Sequence, residues 1–312
     1  FEIHAGESIG IVGESGCGKT ISCYATMGLL PSGARITSGE ILLTKSDGSV
    51  INVVVEDTYS QEMRNIRGRD ISIIFQEPNA ALSPLYTMAD QIVESIRVHN
   101  PLSKEEARKQ AIDLFRQVGI PNPEKRINEY PFQFSGGMIQ RAMIAMALSC
   151  KPRLLIADEP TTALDVTIQA QVLMLIRKMQ QELGISLILV THNLGIVAHL
   201  VDRVYVMYLG KIVEAGTVMD IFDNPKHPYT QGLLKSIPKI SGSKDRLEAI
   251  PGSVPSGFDI PNGCSFHPRC KYFMKNQCDQ MIPEMYIIGP NHKASCFLYA
   301  DQPNTDGKRQ NG

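Results

Sequence analysis

The sequence predicts an α/β fold, a largely parallel sheet with helices on both faces, carrying an inserted helical block and an irregular cysteine-rich extension. Three observations predict it. Short apolar runs alternate with helical stretches from residue 9 to residue 190, which is the pattern of strand–helix–strand units. A glycine-rich turn joins the first apolar run to the first helical stretch. After Gly216 the composition breaks, and prolines and cysteines crowd in.

The elements follow in order. Residues 9–12 form an apolar run that stops at Gly13 and reads as a buried strand. Residues 19–30 read as a helix stopped by Pro31 and Gly33. Residues 41–43 and 50–55 alternate around the turn residues Ser46, Asp47, Gly48 and Ser49, as an antiparallel hairpin does. Residues 71–75 read as another buried strand. From residue 88 to 144 the pattern is helical, and residues 104–118 place Ala107, Ala111, Leu114 and Val118 on one face. A strand is expected at 153–157, a helix at 167–183 and a strand at 186–190.

These elements divide the chain into a sheet core with an antiparallel β subdomain (1–87 and 151–215), a helical subdomain (88–150) and an extension (216–312). In the extension Pro225, Pro228, Pro238, Pro251, Pro255 and Pro261 argue for irregular structure rather than a continued sheet. Its tail from residue 301 to 312 is polar and reads as frayed. The chain opens FEIHAGES, with neither an initiator Met nor a signal-peptide pattern. It reads as starting in mid-strand, with a segment missing upstream.

Composition narrows the function. A net charge of −1 gives no electrostatic footprint for nucleic acid, so partners must be argued from sites. The longest apolar stretch, residues 185–209, is interrupted by His192, Asn193, His199, Asp202 and Arg203, too polar for a membrane span. A membrane would be reached through partner subunits.

The motifs carry the chemistry. Gly13-Glu14-Ser15-Gly16-Cys17-Gly18-Lys19-Thr20 fits the phosphate-loop pattern GxxxxGK[ST] between a strand and a helix. Glycines let backbone N–H groups wrap phosphate oxygens, and the following helix aims its partial positive end at the same anion. Lys19 would reach the β- and γ-phosphates of a bound nucleotide, and Thr20 would ligate Mg²⁺. Cys17 reads as small loop filler. At residues 154–159 an apolar strand ends in Asp158 and Glu159. Asp158 could hold Mg²⁺, and Glu159 could accept a proton from an attacking water. Alone, two carboxylates after a strand are an ordinary loop start; beside a phosphate loop they gain a role. Ser135-Gly136-Gly137 opens an apolar helix, with Ser135 a natural N-cap and the glycines exposing N–H groups, a second anion site.

Phe134-Ser135-Gly136-Gly137-Met138 resembles the signature of ATP-binding cassette (ABC) ATPases, usually LSGGQ, in the variant found in peptide importers. Gln76 matches the family's Q-loop glutamine, which contacts Mg²⁺ and water; Ala163-Leu164-Asp165 matches the D-loop; and His192 matches the switch histidine that contacts the γ-phosphate. The resemblance implies a P-loop nucleotide-hydrolase core and ATP sandwiched between two subunits. Ser135, Gly136 and Gly137 of one would then face ATP held on the other. The family's adenine-stacking aromatic has no counterpart after Phe1 and is expected upstream of it.

Beyond Gly216 the segment from Asn224 to Leu234, then Pro251-Gly252-Ser253-Val254-Pro255 and Cys264-Ser265-Phe266-His267-Pro268-Arg269-Cys270, resembles the extension of dipeptide and oligopeptide importer ATPases of the D type. Cys264, Cys270, Cys278 and Cys296 could satisfy a tetrahedral Zn²⁺ or a [4Fe–4S] cluster. The importer resemblance implies the cluster, and four reduced, unligated thiols are the plain alternative. The resemblance further implies a second, non-identical ABC ATPase subunit, two transmembrane permeases, an extracytoplasmic peptide-binding protein and a place at the cytoplasmic face of the membrane. A nickel-importer ATPase, a soluble ABC ATPase of DNA repair or translation, and a metal-binding regulator are the rival readings.

Overall fold

The computed structural model describes residues 1–162, 164–237, 250–255, 257 and 259–300. The expected frayed tail at 301–312, Pro238 and Ala163 of the D-loop lie outside the described residues. The strands in chain order are β1 (Ser8–Val12), β2 (Leu42–Thr44), β3 (Val50–Asn52), β4 (Ile71–Ile74), β5 (Leu154–Asp158), β6 (Ser186–Thr191), β7 (Arg203–Tyr208), β8 (Lys211–Thr217), β9 (Tyr286–Gly289) and β10 (His292–Ala294). The chain forms two compact units, Phe1–Glu2 with Ser8–Lys19 and Val190–Gly312, and Ile3–Glu7 with Thr20–Leu189.

In the first unit β1 runs parallel to β7, with Ile9 opposite Arg203 and Val12 opposite Val206. Every residue of β1 is buried, so the apolar run is continuous rather than alternating. β7 turns back antiparallel onto β8 through Leu209 and Gly210. β8 then pairs with β10, and β10 with β9, both antiparallel. The expected irregular extension is therefore corrected: its last strands continue the sheet at β8. Three- and four-residue strands around the tight turn Pro290-Asn291 are too short to stand out among prolines and cysteines, and pairing to β8 is what makes them strands. β7 and β8 were likewise absent from the expected elements.

The second unit holds the parallel pair β4–β5, with Ile71 opposite Leu154, and the expected hairpin β2–β3. Its helices begin where polar side chains can cap them. Thr87 with Asp90 forms a capping box on Met88–His99, and Ser103 with Glu106 does the same for Lys104–Gln117. Asp165 accepts from the Ile168 N–H to start Val166–Leu183, and Gly184 at φ 64° ends it. Two boundaries move from the expectation. The first helix is Lys19–Ala25, giving way to turns before Gly28, and residues 1–7 precede β1 as turn and coil rather than as part of a strand.

Candidate functional site

The phosphate loop hangs from the buried end of β1. A side chain at Gly13 is excluded, because a Cβ there would lie 2.2 Å from the Met207 carbonyl oxygen and 2.8 Å from Cys17 Sγ. Gly18 sits at φ 97°, which favours glycine. Lys19 is 5 % exposed, and its ammonium donates to the carbonyls of Gly13 at 2.9 Å and Glu14 at 3.1 Å. The charge is thus held over the loop on groups that a phosphate oxygen could replace. Cys17 is buried, and burial pushes its thiol up although Lys19 opposes the shift. That is the environment of an inert filler. Glu14 donates its N–H to the Tyr229 hydroxyl at 2.8 Å, and its carboxylate meets Arg269.

In the second unit Thr20 Oγ1 donates to Asp158 Oδ1 at 3.1 Å. Asp158 is completely buried at the end of β5, so the threonine hydroxyl and the carboxylate are brought together across 138 residues. Burial and Asp158 push the neighbouring Cys23 thiol up to about 12. One residue on, Glu159 adopts φ 43°, a left-handed conformation uncommon for a non-glycine residue. The two neighbouring carboxylates have different partners. Glu159 Oε2 accepts from Gln76 Nε2 at 3.2 Å and from the Thr162 hydroxyl at 3.1 Å. Left-handed backbone at a carboxylate that two side chains hold in place makes Glu159 a candidate functional residue.

The signature segment opens the helix Gly136–Ala147. Phe134 is buried edge-on against Phe115, ring centres 6.3 Å apart, and so belongs to the helical core. A Cβ at Gly137 would press Ile168 Cγ2 at 3.1 Å, and one at Gly136 would meet Leu164 at 3.7 Å. Ser135 occupies the N-cap position with extended backbone, but its side chain makes no capping hydrogen bond. The sequence expectation of a serine cap is corrected to that extent. His192 is exposed immediately after β6.

The four cysteines of the extension are free thiols. Cys264 donates its N–H to the Cys278 carbonyl at 2.8 Å, and Gly263 has no room for a Cβ, which would lie 2.5 Å from that carbonyl oxygen. Burial, then their mutual proximity, pushes the Cys264, Cys270 and Cys296 thiols up, Cys296 to about 12. Among the described residues no group of three or more His, Cys, Asp or Glu is drawn together as a single ion would need. The reading from sequence missed Arg269 and Tyr229 as partners of the phosphate loop; no local signal marks them.

Comparison with known proteins places the chain. Residues 1–162 match the ABC transporter family and residues 213–278 the oligopeptide/dipeptide transporter C-terminal region. A dipeptide transport ATP-binding protein, DppD, of Bacillus subtilis is 48 % identical over 96 % of this chain and 87 % of its own. The DppD of Escherichia coli is 44 % identical over 96 % and 90 %. Among solved structures, the ATP-binding cassette MJ0796, a dimer in a post-hydrolysis state bound to ADP and Pi, is 28 % identical. It superposes with a TM-score of 0.60 over 70 % of this chain and 88 % of that one. CbiO1 from Clostridium perfringens, part of an ABC transporter complex, superposes at 0.56, with 28 % identity, over 72 % and 82 %. The chain belongs to the ABC transporter family.

Proposed function

We propose that this chain is the ATP-hydrolysing subunit of an importer of dipeptides or oligopeptides. Its identity to DppD proteins along nearly the whole length, and the match of its extension to the oligopeptide/dipeptide transporter region, support that substrate class over nickel. The observation that carries the hydrolytic reading is the pair of contacts at the end of β5: Thr20 to Asp158, and Gln76 to Glu159.

The roles follow from the groups. Lys19 exchanges its loop carbonyls for the β- and γ-phosphate oxygens of ATP, and Gly13–Lys19 contributes backbone N–H groups. Thr20 and Asp158 supply hard oxygen donors 3.1 Å apart, a donor set that suits Mg²⁺. Mg²⁺ held there would offset charge on the phosphates. Glu159 accepts a proton from water as its oxygen bonds to the γ-phosphorus and the bond to the bridging oxygen breaks, with Gln76 and Thr162 fixing its carboxylate. His192 would hold the γ-phosphate. Ser135, Gly136 and Gly137 would face ATP bound by a second ATPase subunit, read as non-identical to this one. Closing and reopening of that pair would drive two permease subunits fed by an external peptide-binding protein, with this chain on the cytoplasmic face of the membrane.

For the extension we favour a [4Fe–4S] cluster on Cys264, Cys270, Cys278 and Cys296. A single tetrahedral zinc is the other group that four thiolates could hold. The reading rests on the four thiols as a donor set, since no described group is drawn together as an ion would need. Anaerobic purification with iron, sulfide and zinc quantification separates the two. About four irons per chain support the cluster; one zinc, or no metal, removes it. The hydrolytic reading is tested by ATP-dependent peptide uptake in the reconstituted transporter. Uptake should stop with Glu159→Gln, and uptake that persists with that variant overturns the assignment.

A further inference from the structure

We propose that Arg269 and Tyr229, both in the extension, are positioning residues for ATP binding: they immobilise Glu14 of the phosphate loop and neutralise its carboxylate beside the incoming triphosphate. The inference rests on the nucleotide-binding reading above.

Glu14 is an anion in a loop otherwise arranged to receive an anion. Unpaired, its carboxylate would repel a polyphosphate and leave the first turn of the loop free to move. Arg269 prevents both. Its Nη1 donates to Glu14 Oε2 at 2.7 Å and its Nη2 to Oε1 at 3.0 Å, a bidentate fork joining residues 255 apart in the chain. The Arg269 side chain is 5 % exposed and that of Glu14 27 %, so solvent screens this pair far less than a surface pair.

The arginine is itself fixed. Nε donates to the Pro251 carbonyl at 2.9 Å, Nη2 to the Gly252 carbonyl at 3.4 Å and Nη1 to the Tyr208 hydroxyl at 3.5 Å. The guanidinium also lies over the Tyr208 ring, 5.9 Å from its centre. A group so completely engaged has one orientation to offer, and the fork points at Glu14. The second hold is on the backbone. The Tyr229 hydroxyl accepts the Glu14 N–H at 2.8 Å, and the Tyr229 ring is fully buried against Tyr208 and Phe266, with centres 4.7 Å and 5.4 Å away. One residue of the phosphate loop is therefore gripped by main chain and side chain alike from the extension. Further along the loop the Cys17 N–H turns back onto the Glu14 carbonyl at 3.4 Å.

ATP affinity of the full chain, read with a fluorescent ATP analogue, and KM and kcat of the reconstituted transporter test this. Arg269→Gln should weaken ATP binding about 10-fold and raise KM accordingly, with kcat within about twofold. Arg269→Lys, which keeps the charge but not the fork, should recover part of the loss. Tyr229→Phe, which keeps the ring packing, should weaken binding about threefold. The decisive variant is Glu14→Gln combined with Arg269→Gln. Removing the carboxylate removes the repulsion, so the pair should bind ATP better than Arg269→Gln alone, a rescue that a purely structural arginine would not give. Wild-type affinity in both Arg269→Gln and Tyr229→Phe, or no rescue in the double variant, overturns the proposal. If Arg269→Gln does not fold, Tyr229→Phe decides: weakened binding supports the grip and wild-type affinity overturns it. A wild-type chain that fails to bind ATP would overturn the nucleotide reading instead.

Discussion

Two glycine-rich turns in this chain each lead into a helix, and they are finished in opposite ways. The turn at residues 13–19 is braced from every side: Lys19 is buried on its carbonyls, Gly13 is pressed by Met207, and Glu14 is gripped by Tyr229 and Arg269. The turn at residues 134–137 is packed at its ends and bare in the middle. Ser135 and Gly136 are exposed, and the serine hydroxyl does not cap its own helix. Elsewhere in the same unit Thr87 and Ser103 do cap theirs. Two turns that look alike as sequence are thus finished differently, and only the structure shows the difference. Under the proposed function, this exposed turn would face a nucleotide held by another subunit.

The largest expected effect lies at Glu159, a carboxylate beyond both turns in the sequence. Glu159→Gln should lower ATP turnover about 100- to 10,000-fold, the range for loss of a general base, while ATP remains bound. Single-turnover kinetics with labelled ATP would check this, and unchanged turnover would place the chemistry elsewhere. Next, Lys19→Met should weaken ATP binding of the full chain by about 100-fold, from two lost charge-assisted bonds. Titration with a fluorescent nucleotide reads it directly.

The braced turn should also be the acid-sensitive one. Burial lowers His227 from 6.5 to about 4, with Glu214 opposing the shift, and His227 Nδ1 accepts the Tyr229 N–H. The unfolded histidine takes up a proton near 6.5, whereas the folded one does not until about 4. Stability is therefore intact above that window and is lost as pH falls through it, by about 2 kcal/mol at about pH 5. Urea unfolding at a series of pH values checks this, and His227→Gln should flatten the profile. The smallest effect separates a spent cap from an unspent one. Thr87→Ala should cost about 1 kcal/mol of stability, and Ser135→Ala less than about 0.5 kcal/mol.

The candidate site residues are legible in the sequence where chemistry is written locally. Gly13 to Thr20, Asp158 and Glu159 announce themselves by residue type and by their place at strand ends, and the structure brings Thr20 to Asp158 and Gln76 to Glu159. What could not be read is tertiary. Glu14 and Arg269 are chemically ordinary until the fold pairs them, and β9 and β10 are too short to be strands without β8 beside them. Ser135 has the residue type of a cap, but the side-chain orientation that decides whether it acts as one depends on packing around the turn.

The most direct test of the contrast between the two turns is Ser135→Ala, measured twice: ATP affinity of the full chain alone, and ATP turnover of the reconstituted transporter. Affinity within about twofold of wild type, with turnover reduced about 10-fold or more, is the expected result. An equal loss of affinity in the chain alone, or unchanged turnover, would contradict the reading of the bare turn as half a site completed by another subunit.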